Sequence, residues 1–408
     1  MKLRPTVLKY GGSAVGDPQR LGVVAQDVIT QASGGQGVVV VVSAMGDETD
    51  ELFQFMANIN PTASRAVVDM VVQTGEVKAV GALAAAIERR GGQVVAFTSQ
   101  QVGFSGTEDH GSARLLQVRG VRLIRQALAE GKIVVVPGFQ AVTRTGSLVT
   151  LGRGGSNLTA VALAVVLKAA FCVFKTDVDG LSPVDPDLVT DPIIFPELDY
   201  DAACDVSQDR VIVDRAIKLA QAYGIPLRVM RSPSIGSSTG GTIIRNASTH
   251  DALEPEPRYI TVVSADLNLA LVKILGVPDR PGQAAKLFKA GRGICLSDAI
   301  QAEGTGQRAV ISFLVSMARL SEALAKVRRV HRNVQGREGY VGLTVFDRRM
   351  RREPDYVARV TGALANARVN ISLISTSGPA ITVGIKATHL SRAARAVADE
   401  FGLRRKAV

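Results

Sequence analysis

The sequence predicts an α/β fold with a mainly parallel sheet, followed by two smaller α+β modules. Short, continuous apolar runs such as Val38–Val42 alternate with helix-spaced segments through the first half of the chain. The runs end in polar, mostly glycine-bearing turns. Beyond Glu254-Pro-Glu-Pro-Arg258 the chain then repeats its own pattern.

In order, Thr6–Tyr10 reads as a buried strand that stops at Gly11-Gly12-Ser13, and residues 18–30 carry helical spacing. Val38–Val42 suits a parallel strand covered on both faces, and it ends at Ser43-Ala-Met-Gly-Asp47-Glu-Thr49 before another helix. Residues 94–97 and 133–136 repeat the short strand, while 77–90 and 116–130 repeat the helix. Ligands in such sheets sit beyond the carboxyl ends of the strands. The polar residues collected there are Lys9, Gly11, Gly12 and Ser13; Ser43 and Thr49; Gly138 and Gln140; Arg153 to Asn157; and Thr176, Asp177 and Asp179. A cation, glycine-lined turns and two carboxylates are an inventory for a nucleotide carrying a divalent ion. In Leu151-Gly-Arg-Gly-Gly-Ser-Asn157, glycines permit close backbone approach and Arg153 offers a planar charged fork. A tight connection before a helix is the alternative for that turn.

Composition narrows the class. With 408 residues and 46% hydrophobic content the chain suits two or three globular domains. It shows no apolar run of the roughly 18 residues that span a bilayer and no leader-like start, so a cytoplasmic protein without membrane contact is expected. The cysteines Cys172, Cys204 and Cys295 lie far apart among apolar neighbours, which suits reduced, packed thiols; with four scattered histidines, no protein-built metal site is expected. The net charge of +11 gathers in Arg328, Arg329, His331 and Arg332 and in Arg348, Arg349, Arg351 and Arg352. Without interleaved aromatics these clusters read as a solvated face, and no nucleic-acid partner is expected.

After the linker, a strand at 271–276, Pro278-Asp-Arg-Pro-Gly282, a helix from Gln283 and Ile294-Cys-Leu-Ser297 are echoed by 341–346, Glu353-Pro-Asp355, a helix from Tyr356 and Val369-Asn-Ile-Ser372. Two copies of about 70 residues suggest paired ferredoxin-like modules. The expected boundaries are 1–247 for the first domain, 248–258 for a linker, and 259–335 and 336–408 for the modules.

Lys9-Tyr-Gly-Gly-Ser13, Val41-Val-Ser-Ala-Met-Gly-Asp47, Val136-Pro-Gly-Phe-Gln140 with Thr150-Leu-Gly-Arg-Gly-Gly-Ser156, Thr176-Asp-Val-Asp-Gly180 with Asp185-Pro186, and the C-terminal repeat together resemble the aspartate kinases. The resemblance covers essentially the whole chain. It implies a three-layer α/β/α amino-acid-kinase domain, tandem ACT regulatory modules, and phosphoryl transfer from ATP with Mg²⁺ to the side-chain carboxylate of L-aspartate. The product, 4-phospho-L-aspartate, feeds the lysine, threonine and methionine branch.

Carried over by position, the catalytic residues are Lys9 and Asn157. The ATP-binding residues are Lys9, Tyr10, Gly11, Gly12, Ser43, Thr176, Asp177, Ser182, Asp187 and Arg210. The substrate residues are Asp47, Thr49, Glu76, Arg153, Gly154, Gly155 and Ser156, with Arg153 on the α-carboxylate and Glu76 on the α-ammonium. Ser43 and Thr49 are read as polar contacts to substrate or phosphate, with helix capping as the alternative, and Asp179 is equally readable as a turn-holding residue or a nucleotide contact. Effector positions in the modules are Asp279, Pro281, Gly282, Ile294, Asn370 and Ile371, with lysine or threonine as effectors and a homodimer or larger assembly implied. Asn157, Ser182 and Asp187 depart from the family pattern, where Asp, Tyr and Arg are usual. They keep open a degenerate regulatory subunit with weak kinase activity, and a related kinase with another carboxylate acceptor is the third reading. Lys175 is a candidate to compensate the charge reversal at Asp187.

Overall fold

The computed structural model describes residues 4–236, 240–246, 260–294, 296–303, 306–353 and 355–405. The expected linker 248–258 and Cys295 lie outside the described residues. The chain divides into two compact units, one formed by Met1–Leu181 with Ile194–Pro255 and the other by Ser182–Ile193 with Glu256–Val408.

The N-terminal unit is built on an eight-stranded sheet. Numbering its strands along the chain, β1 is Thr6–Tyr10, β2 Val38–Val42, β3 Val94–Ala96, β4 Ile133–Pro137, β5 Phe171–Thr176, β6 Glu197–Leu198, β7 Leu227–Arg231 and β8 Thr242–Ile244. Their spatial order is β6-β8-β7-β5-β1-β2-β4-β3. β1 pairs in parallel with both β2 and β5, β7 extends the sheet in parallel from β5, and only the β7–β8 pairing is antiparallel. All five valines of β2 are buried, as a central strand covered on both faces requires.

One covering layer holds α1 (Pro18–Ser33) and α4 (Thr74–Glu88), reached through α2 (Glu48–Ile59) and α3 (Arg65–Val72). Leu21, Val24 and Val28 of α1 and Leu83 and Ile87 of α4 pack with Leu8, Tyr10, Val40, Val42 and Val135 of the sheet. The other face carries α5 (Gly155–Leu167), which has apolar or small residues on every side and is buried over nearly its whole length. Arg65–Glu88 is long and apolar enough by composition to cross a membrane, a stretch the sequence reading passed over. Here it forms α3 and α4, which carry the buried carboxylates Asp69 and Glu76. A second, four-stranded sheet joins Leu115–Val118, Phe104–Gly106, Gln140–Val142 and Leu148–Thr150 in that order.

The C-terminal unit holds a six-stranded sheet in the order Leu296–Glu303, Arg308–Ser316, Val262–Pro278, Val334–Phe346, Ala380–Lys386, Leu373–Ser377, with every pairing antiparallel. Its two long strands serve two cores. Ala270, Val272 and Ile274 pack with Leu287, Phe313, Ala323 and Val327, whereas Val263 packs with Leu343, Val345, Val360, Ile381 and Val397. The linear boundary at 335/336 therefore falls inside the strand Val334–Phe346, and the opening residues of Val262–Pro278 belong to the core of the last module. The boundary at 247 is corrected too. Ser182–Ile193 groups with the C-terminal unit, where Val184, Leu188 and Val189 join that same core and Val184 bridges Val263. Its apolar side chains at 184, 188 and 189 decide this, and no strand or helix pattern announces them.

Asp347, fully buried, ties this last module together by accepting from the Thr261 hydroxyl at 2.6 Å, the Tyr356 hydroxyl at 2.9 Å and the Arg349 guanidinium at 2.8 Å. Burial alone would raise the Asp347 pKa, but these donors outweigh it and hold the carboxyl below its ordinary value. A depressed folded pKa contributes stability that is present above the unfolded value near 4 and is lost as pH falls through the folded one. Asp347→Asn is therefore expected to lower stability at neutral pH by about 1–3 kcal/mol and to flatten the acid limb of unfolding, as read by urea denaturation between neutral and acidic pH.

Candidate active site

The turns after β1, β2 and β5, the start of α4 and the turn before α5 form the candidate site. Side chains alternate along β1, so Lys9 and Tyr10 leave the sheet on opposite faces. Lys9 faces the carboxylates of the site, and burial draws its pKa down to about 8, partly offset by Asp177, then Cys172 and Glu76. A β-carbon at Gly11 would stand 3.5 Å from its Nζ. The first and second turns touch directly: the Gly46 amide donates to the Gly12 carbonyl at 3.0 Å, and a β-carbon at Gly12 would fall 2.8 Å from the carbonyl oxygens of Ala44 and Gly46. Only glycine fits there.

Glu76, in the first turn of α4, is 2% exposed. Its Oε1 accepts from the Ala44 amide at 3.3 Å, while its Oε2 is buried without a partner. Burial pushes its pKa up to about 8; the Ala44 amide and Lys9 pull it down, and Glu48 pushes it up. A buried carboxylate oxygen without a donor costs free energy that an incoming cation would recover. Glu48, paired with Lys78 at 2.9 Å, likewise has one buried oxygen without a partner.

Arg153 is exposed in the turn before α5 and lines a cavity of about 310 Å³ with Asp209, Val213, Asp214, Arg215 and Lys218. Gly154 adopts φ 66°, and any β-carbon there would collide with Val213. Arg215 donates to the carbonyls of Leu151 and Arg153 and so holds this turn. Sequence reasoning missed Arg215, because a charged residue opening a helix gives no pattern signal. Gly155 and Ser156 open α5 and are buried.

Asn157, expected as catalytic, donates through Nδ2 to the Val211 carbonyl at 3.2 Å. A carboxylate in that place would face a carbonyl oxygen without a proton between them, which accounts for an amide here. The Thr176 hydroxyl accepts from the Val178 amide at 3.0 Å, and Asp177 is exposed beside it. Asp179 forms a two-pronged pair with Arg231 at 2.8 and 3.2 Å, the turn-holding alternative. Arg210 is exposed in the turn after Tyr200–Ser207. Ser43 follows β2 and donates its amide to the Tyr10 carbonyl at 3.2 Å; Asp47 and Thr49 stand at the start of α2, with Asp47 exposed.

Two expectations are revised. Tyr10 is fully buried, with its hydroxyl donating to Asp27 Oδ2 on α1 at 2.7 Å, so its side chain is a core group and does not contact nucleotide. Lys175, beside Tyr10 across the β1–β5 pairing, reaches the same Asp27 oxygen at 3.0 Å, so its charge is already engaged and does not serve phosphate. Ser182 and Asp187 fall in the segment that groups with the C-terminal unit and make local turn contacts, Val184 amide to the Ser182 hydroxyl and Asp187 amide to Asp185.

Two family models match the chain: the amino acid kinase family over residues 4–231 and the ACT domain over 343–401. The aspartokinase of Corynebacterium glutamicum is 36% identical over 97% of this chain and 96% of its own. An aspartokinase of Thermus thermophilus is 34% identical over 97% of this chain and 98% of its own. The chain belongs to the aspartokinase family. Among solved structures, Synechocystis aspartate kinase is 32% identical with a TM-score of 0.53, covering 99% of this chain and 70% of that one. E. coli aspartokinase III in complex with lysine and aspartate shares the fold, with a TM-score of 0.70 at 20% identity over 98% and 99% of the two chains.

In this chain, Asp279, Pro281 and Gly282, expected as effector positions of the first module, are exposed in the turn before the helix Gln283–Ala290. Ile294 is instead a core side chain, 8% exposed, which corrects its assignment as an effector contact. Asn370 is exposed, and Ile371 packs against the core of the last module.

The Asp27 cluster beneath the site yields a prediction. Lys175→Met strands a largely buried carboxylate and is expected to cost about 3–5 kcal/mol, whereas Asp27→Leu with Lys175→Met is expected to cost less than Lys175→Met alone. Chemical denaturation of both variants checks this.

Proposed function

We propose that this chain transfers the γ-phosphoryl group of ATP to the side-chain carboxylate of L-aspartate, giving ADP and 4-phospho-L-aspartate. The observation that carries the reading is the buried, partnerless oxygen of Glu76 in the field of Lys9, a ready-made seat for an ammonium group. Arg153 supplies the complementary fork for an α-carboxylate, so together they select an α-amino acid. The acceptor carboxylate is ionised at neutral pH and attacks phosphorus directly. One P–O bond forms to the carboxylate and the bond to the β-phosphate oxygen breaks, with its electron pair leaving on ADP. No base is required. Lys9 offsets the negative charge that accumulates on the transferring oxygens in a site where water is scarce.

Mg²⁺ fits as an ion carried on the nucleotide phosphates. Among the described residues no cluster of three or more His, Cys, Asp or Glu is set to hold a metal alone. Asp177, exposed beside Lys9, is the carboxylate available to it, and the ion would neutralise phosphate charge. The Thr176–Asp177 turn supports the nucleotide end of the site. The C-terminal modules, with cores at 270–334 and 341–403 and exposed turns at Asp279–Gly282 and Asn370, are the proposed seat of feedback by an amino acid such as lysine. Assembly into a dimer or larger oligomer belongs to the same reading.

Two outcomes test it. Coupled ADP-release assays are expected to show aspartate-dependent turnover that falls at least about 100-fold in Lys9→Ala; turnover indifferent to aspartate would overturn the reading. The rate also depends on pH in a defined direction. Below about 8 Glu76 is protonated and attracts the ammonium less, so kcat/KM for aspartate rises with pH. Above about 8 Lys9 loses its proton and the rate falls. Lys9→Arg, whose guanidinium stays charged, is expected to move the falling limb to higher pH, where the substrate's own ammonium titrates, whatever its effect on the maximum.

A further inference from the structure

Asp69 lies on α3 and is 1% exposed, and no role in the reading above uses it. Four donors converge on its carboxylate. Oδ2 accepts from the Gly111 amide at 2.9 Å, the Thr150 amide at 3.2 Å and His110 Nδ1 at 3.0 Å; Oδ1 accepts from the Thr150 hydroxyl at 2.7 Å. The pattern requires the His110 proton on Nδ1.

What these donors are attached to gives the cluster its meaning. Asp69 precedes Glu76 by two helical turns, with the α3–α4 junction at Gln73 between them. That junction is itself clamped, because Gln140 donates to the Gln73 carbonyl at 3.1 Å and accepts from Ser99 at 2.9 Å. Thr150 ends the strand Leu148–Thr150 and runs directly into Leu151, Gly152 and Arg153. Gly111 reinforces the connection, since a β-carbon at Gly152 would stand 3.1 Å from the Gly111 carbonyl oxygen. One buried carboxylate thus ties the helix pair that presents Glu76 to the strand and loop that present Arg153.

We propose that Asp69 is a positioning residue for the amino-acid half of the site, fixing the separation between Glu76 and Arg153 by bonding α3 to Thr150 and Gly111. This rests on the assignment of Glu76 and Arg153 to the ammonium and carboxylate of one substrate. A rigid two-point gauge selects an α-amino acid, and small displacements between its points are costly in rate. The nucleotide half, at Lys9 and Thr176, is built on β1 and β5, and Asp69 takes its donors from Gly111, Thr150 and His110 instead.

The decisive experiment compares steady-state constants for Asp69→Asn and Thr150→Val with the unsubstituted chain. Asp69→Asn keeps the shape but loses an acceptor; Thr150→Val removes only the hydroxyl donor. The expected result is a KM for L-aspartate raised about tenfold or more in Asp69→Asn and by a smaller factor in Thr150→Val, with KM for ATP within about twofold in both. A cluster that only supports folding would lower the melting temperature and move both KM values together, or neither, and either result overturns the proposal. If Asp69→Asn fails to fold, Thr150→Val decides by the same split. Failure of the underlying reading appears separately, as absence of aspartate-dependent turnover in the unsubstituted chain.

Discussion

The constraint on which the site depends is the burial of opposite charges beyond the ends of a parallel sheet. Lys9 and Glu76 are both shifted toward neutrality by burial, and each partly restores the charge of the other. Either charge would be costlier there without the other. The unfavourable burial is smallest when anions and a cation arrive together, which is the condition a phosphoryl transfer between a nucleotide and an amino acid creates. The backbone must bring the turns close enough for this field to be shared. Gly12 against Ala44 and Gly46, and Gly154 against Val213, show how little room is left.

Strand alternation then divides labour on β1. Lys9 serves the site, while Tyr10 turns to the opposite face and joins Lys175 and Asp27 in a buried cluster under α1. The register of β1 with β5 places Tyr10 beside Lys175, so the same pairing that sets Lys9 near the Thr176 turn also closes the cluster. A sequence motif read as one unit, Lys9-Tyr-Gly-Gly-Ser13, therefore splits into a chemical half and a packing half.

Much of the architecture was legible because it rests on period and composition. The five valines of β2, the glycine turns and the apolar α5 each announce themselves, and Lys9, Glu76 and Arg153 were singled out through their motifs. What escaped is held by tertiary pairing. Asp69, Asp27 and Arg215 are polar residues inside or at the head of helices, where nothing in the local sequence says that their partners lie far along the chain, at Thr150, Lys175 and Leu151. Ser182–Ile193 was assigned with its neighbours in sequence because only Val184, Leu188 and Val189, without periodicity, mark its allegiance to the other core. Ile294 was carried over as an effector contact by its place in the family pattern, yet a β-branched apolar side chain beside a core gains more from burial than from a polar ligand.

The departures from the family pattern gain a physical reading from their partners. At 157 an amide is the group that can donate to the Val211 carbonyl, and this bond fastens α5 to the turn that carries Arg210 and precedes Arg215. At 187 an aspartate stands where the family pattern carries a cation, and its backbone amide donates to Asp185 Oδ1 at 2.9 Å. Asn157 is engaged by backbone, which gives its amide a holding role between α5 and the turn that carries Arg210. The charges that remain in the site are those a carboxylate acceptor and a polyphosphate donor call for.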